Sequence, residues 1–295
     1  MDQEIDNSVI DRHIKFYNVV IGLSSTLAII LIYGFGSTFL NYYFTGWHTT
    51  KINPLAIALS QILLILIPAL LMVYFLKGSF RDYFPLKLPS IKILLLLFVG
   101  LIAVLAASEA YLQIQEFLVP HSFKKAYLEL QQSYDKMIYQ IVGKGNLLIL
   151  LQALSIIAVI PAIAEEFLFR GYLMRTLGKG LNPMTAIILT AILFSISHLN
   201  LINFIPLLFI GFYLGYSSYI SSSILVPVLL HFINNAMSVV ALYFNGEEIS
   251  QAQTITNSQI NVSIMIFTIS VSALIAIIFY LNKLFDKSEP QDINN

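Results

Sequence analysis

The residues with the clearest chemical potential lie in three hydrophobic stretches of the chain. Glu165, Glu166 and Arg170 fall within six positions inside one apolar run. Two further apolar runs contribute His198 and His231. An ionisable residue at bilayer depth costs roughly 2.5 to 3.5 kcal/mol on insertion scales and marks function by default. These five side chains are therefore where we expect the chemistry of this protein.

The two adjacent glutamates are expected to have different tasks, because neighbouring residues of a helix point about 100° apart. Glu166 and Arg170 are spaced four apart, which predicts an ion pair along one helix face. Glu165 is left to face another wall, where it can act as a general base. Pro161 removes a helix hydrogen bond four residues before Glu165 and is expected to kink the helix, either for packing or beside the site.

Each of the two histidines has a predicted supporting residue in its own helix. Phe194 lies one helical turn before His198 and can brace its ring. His231 and Asn235 share a face, whereas Asn234 points in another direction. A carboxylate, two imidazoles and a carboxamide from three helices can form a hydrolytic centre. The carboxylate and one imidazole would deprotonate a water, and the other imidazole and the amide would stabilise an oxyanion.

The composition is that of an integral membrane protein. Of the 295 residues, 58% are hydrophobic and 11% are charged, whereas about 25% are charged in a typical soluble domain. The absence of cysteine excludes disulfides, thiolate metal sites and a cysteine nucleophile. The net charge is zero, and no long basic run indicates a nucleic-acid partner. The lipid bilayer is the first predicted partner.

Apolar runs of the roughly 20 residues that a transmembrane helix needs recur along the chain and predict an all-α membrane bundle of about eight spans. We expect one integral membrane domain, 1–295. The connection Ser122–Val142 has apolar residues at helical spacing, which predicts a helix on the membrane surface or an ordinary amphipathic connector. The predicted spans are Tyr17–Phe44, Pro54–Leu76, Ile91–Leu112, Leu147–Leu177, Met184–Ile202, Phe204–Ile220, Ile224–Phe244 and Val262–Leu284.

The basic residues set the predicted orientation. With the N-terminus inside, eleven Lys and Arg residues lie in inner segments and five in outer ones, and cytoplasmic segments are the ones enriched in Lys and Arg. This predicts a multi-pass protein of the cell membrane with both termini in the cytoplasm. The four lysines of the 120–146 connection run against the rule. In a continuous helix Leu147–Leu177, Glu165 lies about 18 Å from the inner end, within reach of a cavity open to the cytoplasm.

The three motifs together resemble those of one protein family. The strings EEFLFRG, FSISH and HFINN match the Glu-Glu-x-x-x-Arg, Phe-x-x-x-His and His-x-x-x-Asn motifs of the CAAX protease and bacteriocin-processing family, also called Abi. This family includes the Ras-converting CAAX prenyl endopeptidase. The order of the motifs agrees, and the resemblance covers a predicted catalytic core from Leu147 to Phe244. It implies an eight-helix intramembrane endopeptidase with its active-site cavity open to the cytoplasm.

The resemblance implies a distinct catalytic role for each motif residue. Glu165 and His198 would activate the water, and His231 with Asn235 would stabilise the tetrahedral intermediate. The supporting residues would be Glu166, Arg170 and Phe194.

The resemblance leaves the cofactor and the substrate open. The centre would contain either no cofactor or a divalent metal such as zinc on Glu165, His198 and His231, because one Glu and two His form a legitimate catalytic zinc set. Asn235 suits an oxyanion better than zinc, which favours the metal-independent form. The substrate would be a peptide or a membrane-anchored protein, with prenylated tails, peptide pheromones and bacteriocin precursors as the candidates.

Two other functional classes remain open. In a proton-coupled transporter the buried Glu and His would form a proton relay, although the repeated halves and broken helices typical of carriers are not evident. In a non-catalytic scaffold or bacteriocin-immunity protein, the chain would bind a membrane partner. Replacement of Glu165 separates the three classes, because it should abolish proteolysis, change the pH dependence of transport or leave a scaffold unaffected.

Overall fold

The fold is an all-α bundle, as predicted. The structure is a computed structural model that describes residues 7–47, 51–143, 145–249 and 256–286. Within those ranges there are ten helices and no strand. They are α1 (Asn7–Thr45), α2 (Pro54–Phe75), α3 (Phe80–Tyr83), α4 (Ile91–Leu118), α5 (His121–Val142), α6 (Leu147–Gly178), α7 (Pro183–Ser197), α8 (Phe204–Ser221), α9 (Leu225–Ile249) and α10 (Asn257–Asp286).

Seven of the described helices are long and apolar enough to cross a membrane: α1, α2, α4, α6, α8, α9 and α10. The predicted surface connection forms α5, a continuous helix of 22 residues with its apolar side chains along one face. α5 contacts α6 and α9. Together these elements bear out the polytopic bundle expected from hydropathy.

The predicted fifth span, Met184–Ile202, was too long. The corresponding helix, α7, has fifteen residues and ends at Ser197. Leu199 then adopts a left-handed backbone with φ 49°, and the Asn200 side chain accepts a hydrogen bond from a backbone N–H three residues later, at 3.0 Å. Hydropathy counted the leucines of this turn as helix because they are apolar, although they are exposed. His198 therefore caps the helix instead of lying within it.

The helix that carries the glutamates, α6, is not a regular α-helix. Two stretches of it, Leu154–Val159 and Phe167–Leu173, are π-helical. Pro161 lies two residues after the first stretch and cannot donate a backbone hydrogen bond. Glu165 and Glu166 lie between the two π-helical stretches. Such π segments are rare and occur frequently at functional sites.

Glycines bring α8 close to α7. A Cβ atom added at Gly211 would lie 3.1 Å from the Phe194 ring and 3.3 Å from the Ala191 backbone, and one at Gly215 would lie 3.0 Å from Ile187. Small residues allow this approach of two membrane helices. The approach places the Gly211 carbonyl and the Phe194 ring beside α6.

Both ends of the described chain lie on one face of the bundle, which we call the termini face. The carbonyl of Lys15, near the start of α1, lies against Gly180 in the turn between α6 and α7. The ring of Phe285, at the end of α10, lies 5.7 Å from that of Tyr219, at the end of α8. Because the chain crosses the bundle an even number of times between them, its two ends return to the same face.

The opposite face carries α5, and we call it the α5 face. Tyr134 of α5 donates a hydrogen bond to the Leu199 carbonyl, in the turn after α7, at 2.9 Å. Gln115, near the end of α4, donates to the Ile202 carbonyl at 3.2 Å. The ends of α4 and α7 and the start of α8 therefore meet on this face. Although α7 is short, it connects the termini face to the α5 face.

Candidate active site

One cavity is lined by the four side chains predicted to be catalytic. It has a volume of about 770 Å³ and is lined by Glu165, His198, His231 and Asn235 together with residues of α1, α2 and α5. Its walls come from the second half of α1, the first half of α2, the end of α7 and the start of α8, all of which lie toward the α5 face. The cavity therefore lies on the side of the bundle opposite to the termini face.

This placement makes two of the sequence predictions incompatible. Cytoplasmic termini and a cavity open to the cytoplasm cannot both hold, because the ends of the described chain and the cavity lie at opposite faces. The depth of Glu165 along α6 does not indicate from which end of the bundle the site opens. One of the two predictions must be wrong.

Glu165 and His198 face each other across the cavity. The Glu165 Oε2 atom lies 3.8 Å from His198 Nε2, and the side chains are 12% and 30% exposed. His198 Nδ1 lies 2.8 Å from the Phe194 carbonyl oxygen. A carbonyl only accepts, so Nδ1 carries the proton, and Nε2 of the neutral ring is then an acceptor. Two acceptors thus face each other at a distance beyond direct hydrogen bonding.

Glu166 lies at the centre of a buried polar network. Arg170 donates to Glu166 Oε1 at 2.6 Å, and both side chains are fully buried. His231 Nδ1 lies 2.8 Å from the same oxygen, and Arg170 also donates to the Gly211 carbonyl at 2.7 Å. The predicted ion pair is therefore present. The bond from Glu166 to His231 was not predicted, because it depends on how α6 and α9 pack.

Phe194 contacts three members of the site. Its ring centroid lies 4.7 Å from the His198 ring, 5.8 Å from the His231 ring in an edge-on arrangement, and 4.7 Å from the Arg170 guanidinium carbon. The last contact has the geometry of a cation–π interaction. Phe194 thus braces His198, as predicted, and it also connects both imidazoles to the buried ion pair.

Asn235 is held by a carbonyl of α6. Its Nδ2 donates to the Ile157 carbonyl at 3.1 Å, and its Oδ1 accepts from Asn234 at 2.8 Å. Ile157 lies in the π-helical stretch Leu154–Val159, and Pro161, four residues after it, has no N–H to give to the preceding turn. The Asn235 amide thus donates to a carbonyl next to the proline. Asn234, which was expected to point in another direction from His231, also lines the cavity and donates to Asn235.

The geometry does not fit the zinc alternative. No group of three or more His, Asp or Glu side chains in ranges 7–47, 51–143, 145–249 and 256–286 could hold a metal ion. The triad considered from the sequence, Glu165, His198 and His231, is therefore not a ligand cluster. The glutamate that does contact His231 is Glu166, which Arg170 already neutralises.

Two site residues were missed from the sequence. Gln61 of α2 hydrogen-bonds to Glu165 and to the Tyr33 hydroxyl of α1. Gln61 is the single carboxamide in the predicted span Pro54–Leu76. A polar residue within a membrane helix was a signal of function that could have been used. Tyr33 gave no comparable signal, because tyrosines are abundant in this chain.

Comparison with known proteins finds one family that resembles the part of the chain containing the site. Residues 147–237 match the family model described as type II CAAX prenyl endopeptidase Rce1-like. The match runs from the start of α6 into α9 and includes all seven motif residues, while α1, α2, α4, α5 and α10 lie outside it. It confirms the resemblance predicted from the motifs and supports a CAAX-type intramembrane protease at the level of the family. No curated protein and no solved structure matches the chain.

Proposed function

We propose that the chain is an intramembrane endopeptidase that hydrolyses a peptide bond of a membrane-associated peptide without a metal ion. The observation that carries the proposal is the pair of acceptors, Glu165 Oε2 and His198 Nε2, 3.8 Å apart in the cavity. An ionisable pair inside a membrane bundle is costly unless it serves function. The family match over α6 to α9 supports the same activity class.

In this mechanism Glu165 and His198 activate a water molecule. A water that donates one hydrogen to Glu165 Oε2 and the other to His198 Nε2 satisfies both acceptors and keeps a lone pair free for the scissile carbonyl. Glu165 takes the proton as the water attacks, and a positioned base of this kind contributes about 10²- to 10⁴-fold to rate. The proton then passes to the leaving nitrogen, and His198 holds its orientation through the Phe194 carbonyl.

His231 and Asn235 would stabilise the oxyanion from the opposite wall. Because His231 directs Nδ1 to Glu166, a donor at Nε2 requires the doubly protonated ring, which shares the Glu166 carboxylate with Arg170. Asn235 uses one amide hydrogen on Ile157, and the second remains for the oxyanion. Removal of one oxyanion donor typically costs about 10²- to 10³-fold in kcat.

The proposal is tested by incubating the purified protein with a panel of labelled peptides, prenylated and unmodified, with and without a metal chelator. Cleavage of at least one peptide, at the same rate in the chelator, is the expected result. Cleavage that the chelator abolishes would replace the mechanism by a metal-dependent one. Intact peptides throughout the panel, in contrast, would remove the hydrolase proposal.

The basic residues favour a particular side for the cavity. The termini face and the sequence next to it hold ten Lys and Arg residues, because the eleventh basic residue of the inner segments, Arg170, is buried in the bundle. The α5 face and the sequence next to it hold five. Cytoplasmic segments are enriched in Lys and Arg. We therefore propose that both termini are cytoplasmic and that the cavity opens to the extracytoplasmic face. A secreted or leader-type peptide then reaches the site more directly than a prenylated cytoplasmic tail.

The side of the cavity can be measured by cysteine labelling, because the chain has no cysteine of its own. Ser133, exposed on α5, and Ser90, exposed before α4, give one reporter for each face. A membrane-impermeant maleimide should label Ser133→Cys in intact cells and Ser90→Cys only after permeabilisation. The reverse pattern would place the cavity in the cytoplasm and both termini outside.

A further inference from the structure

Gln61 is a buried carboxamide at the point where α2 turns from α-helix to π-helix. Its side chain is 4% exposed, and it directly precedes the π-helical stretch Ile62–Leu66. A carboxamide that is removed from water without hydrogen bonds costs roughly 1 to 3 kcal/mol by protein mutational data. Its retention among apolar neighbours therefore calls for a specific partner.

That partner is the Glu165 carboxylate. Gln61 Nε2 donates to Glu165 Oε1 at 3.2 Å and to the Tyr33 hydroxyl oxygen at 3.1 Å. The amide orientation follows from chemistry, since an ionised carboxylate only accepts and the amide nitrogen must face it. One amide hydrogen is thus directed to the carboxylate and the other to the tyrosine of α1.

The two oxygens of Glu165 consequently have different surroundings. Oε1 is held by Gln61, whereas Oε2 has no hydrogen-bond partner in the described part of the chain and faces His198 at 3.8 Å. A carboxylate that is fixed through one oxygen can present the other to a water in a single orientation. Misplacement of a catalytic group by about 1 Å can cost about 10²-fold in rate.

We propose that Gln61 is a positioning residue for the hydrolysis, which fixes Glu165 so that Oε2 is the base, and that Tyr33 acts through Gln61. This inference rests on the proposed function. It assigns a role to α1 and α2, which lie outside the matched residues 147–237. The first two membrane helices then belong to the active site as well as to the bundle.

The role is tested by a double-mutant cycle on a peptide that the wild-type protein cleaves. Gln61→Leu is expected to lower kcat by about 10- to 100-fold with KM unchanged, because it disturbs orientation and not substrate binding. Tyr33→Phe is expected to cause a smaller loss. Since Tyr33 acts through Gln61, the double variant should be no slower than Gln61→Leu alone. Gln152→Leu, an exposed position on α6, is the matched control and should keep the wild-type kcat.

The outcomes distinguish a failure of the role proposed for Gln61 from a failure of the proposed hydrolase function. Wild-type cleavage together with an unchanged kcat in Gln61→Leu would overturn the role of Gln61, and additive losses in the cycle would overturn the action of Tyr33 through it. Absence of wild-type cleavage would instead count against the proposed function. If Gln61→Leu does not fold, as judged by thermal unfolding in detergent, Gln61→Met keeps a similar side-chain length but removes the amide donor, and it is expected to lose kcat as well.

Discussion

Replacement of Glu165 by glutamine is expected to lower kcat/KM for peptide hydrolysis by about 10²- to 10⁴-fold, the contribution of a positioned general base. Glutamine keeps the size of the side chain and can still accept the hydrogen bond from Gln61, so the fold should be preserved. It cannot take a proton from water, because a carboxamide is not a base at neutral pH. Initial rates of cleavage of one labelled peptide measure the effect.

Glu109→Gln is the matched control, because Glu109 is also a glutamate in a membrane helix but is exposed on α4, away from the cavity. It should cleave at the wild-type rate. Equal rates for Glu165→Gln and Glu109→Gln would contradict the assignment of Glu165 as the base. A loss in both would point to a general effect of charge on the protein and not to catalysis.

Replacement of Arg170 by methionine is expected to destabilise the protein by about 3–5 kcal/mol, because it leaves the Glu166 carboxylate buried without its cation. The change also removes the donor to the Gly211 carbonyl and the charge over the Phe194 ring. Unfolding in detergent and the yield of folded protein measure the effect. Arg81→Met, at an exposed position in α3, should leave stability close to wild type.

A second variant shows whether the loss of stability comes from the unpaired Glu166 carboxylate. The double variant Glu166→Gln/Arg170→Met should be more stable than Arg170→Met, because no buried carboxylate is left unpaired. It should nevertheless be poorly active, since His231 loses the charged partner at Nδ1. If the double variant were less stable than the single one, the network would stabilise the fold by another route, through packing around Phe194.

The sequence was sufficient for the local features of the site. Glu166 and Arg170 are four residues apart, and Phe194 and His198 are as well, so helical geometry alone predicted both contacts. The bond between Glu166 and His231 joins residues 65 positions apart, and no spacing rule predicts it. The same holds for Gln61 and Glu165, which are 104 positions apart.

Two errors have physical causes that recur in membrane proteins. The span Met184–Ile202 was drawn too long, because hydropathy cannot distinguish a helix from an apolar turn such as that at Leu199. The opening of the cavity was assigned to the side of the termini, because depth along one helix does not tell which end of the bundle is open. That information comes only from the packing of α1, α2, α5 and α9 around Glu165.

The central claim is that a water activated by Glu165 and His198 attacks the peptide carbonyl directly. The most direct measurement follows one turnover of a cleaved peptide in H₂¹⁸O, quenched by acid, with mass spectrometry of both the product and the protein. The account predicts one ¹⁸O in the new carboxyl group of the product and no increase in the mass of the protein at any time. A protein species heavier by the amino-terminal fragment of the peptide would reveal an acyl-enzyme and a side-chain nucleophile, which would contradict the account.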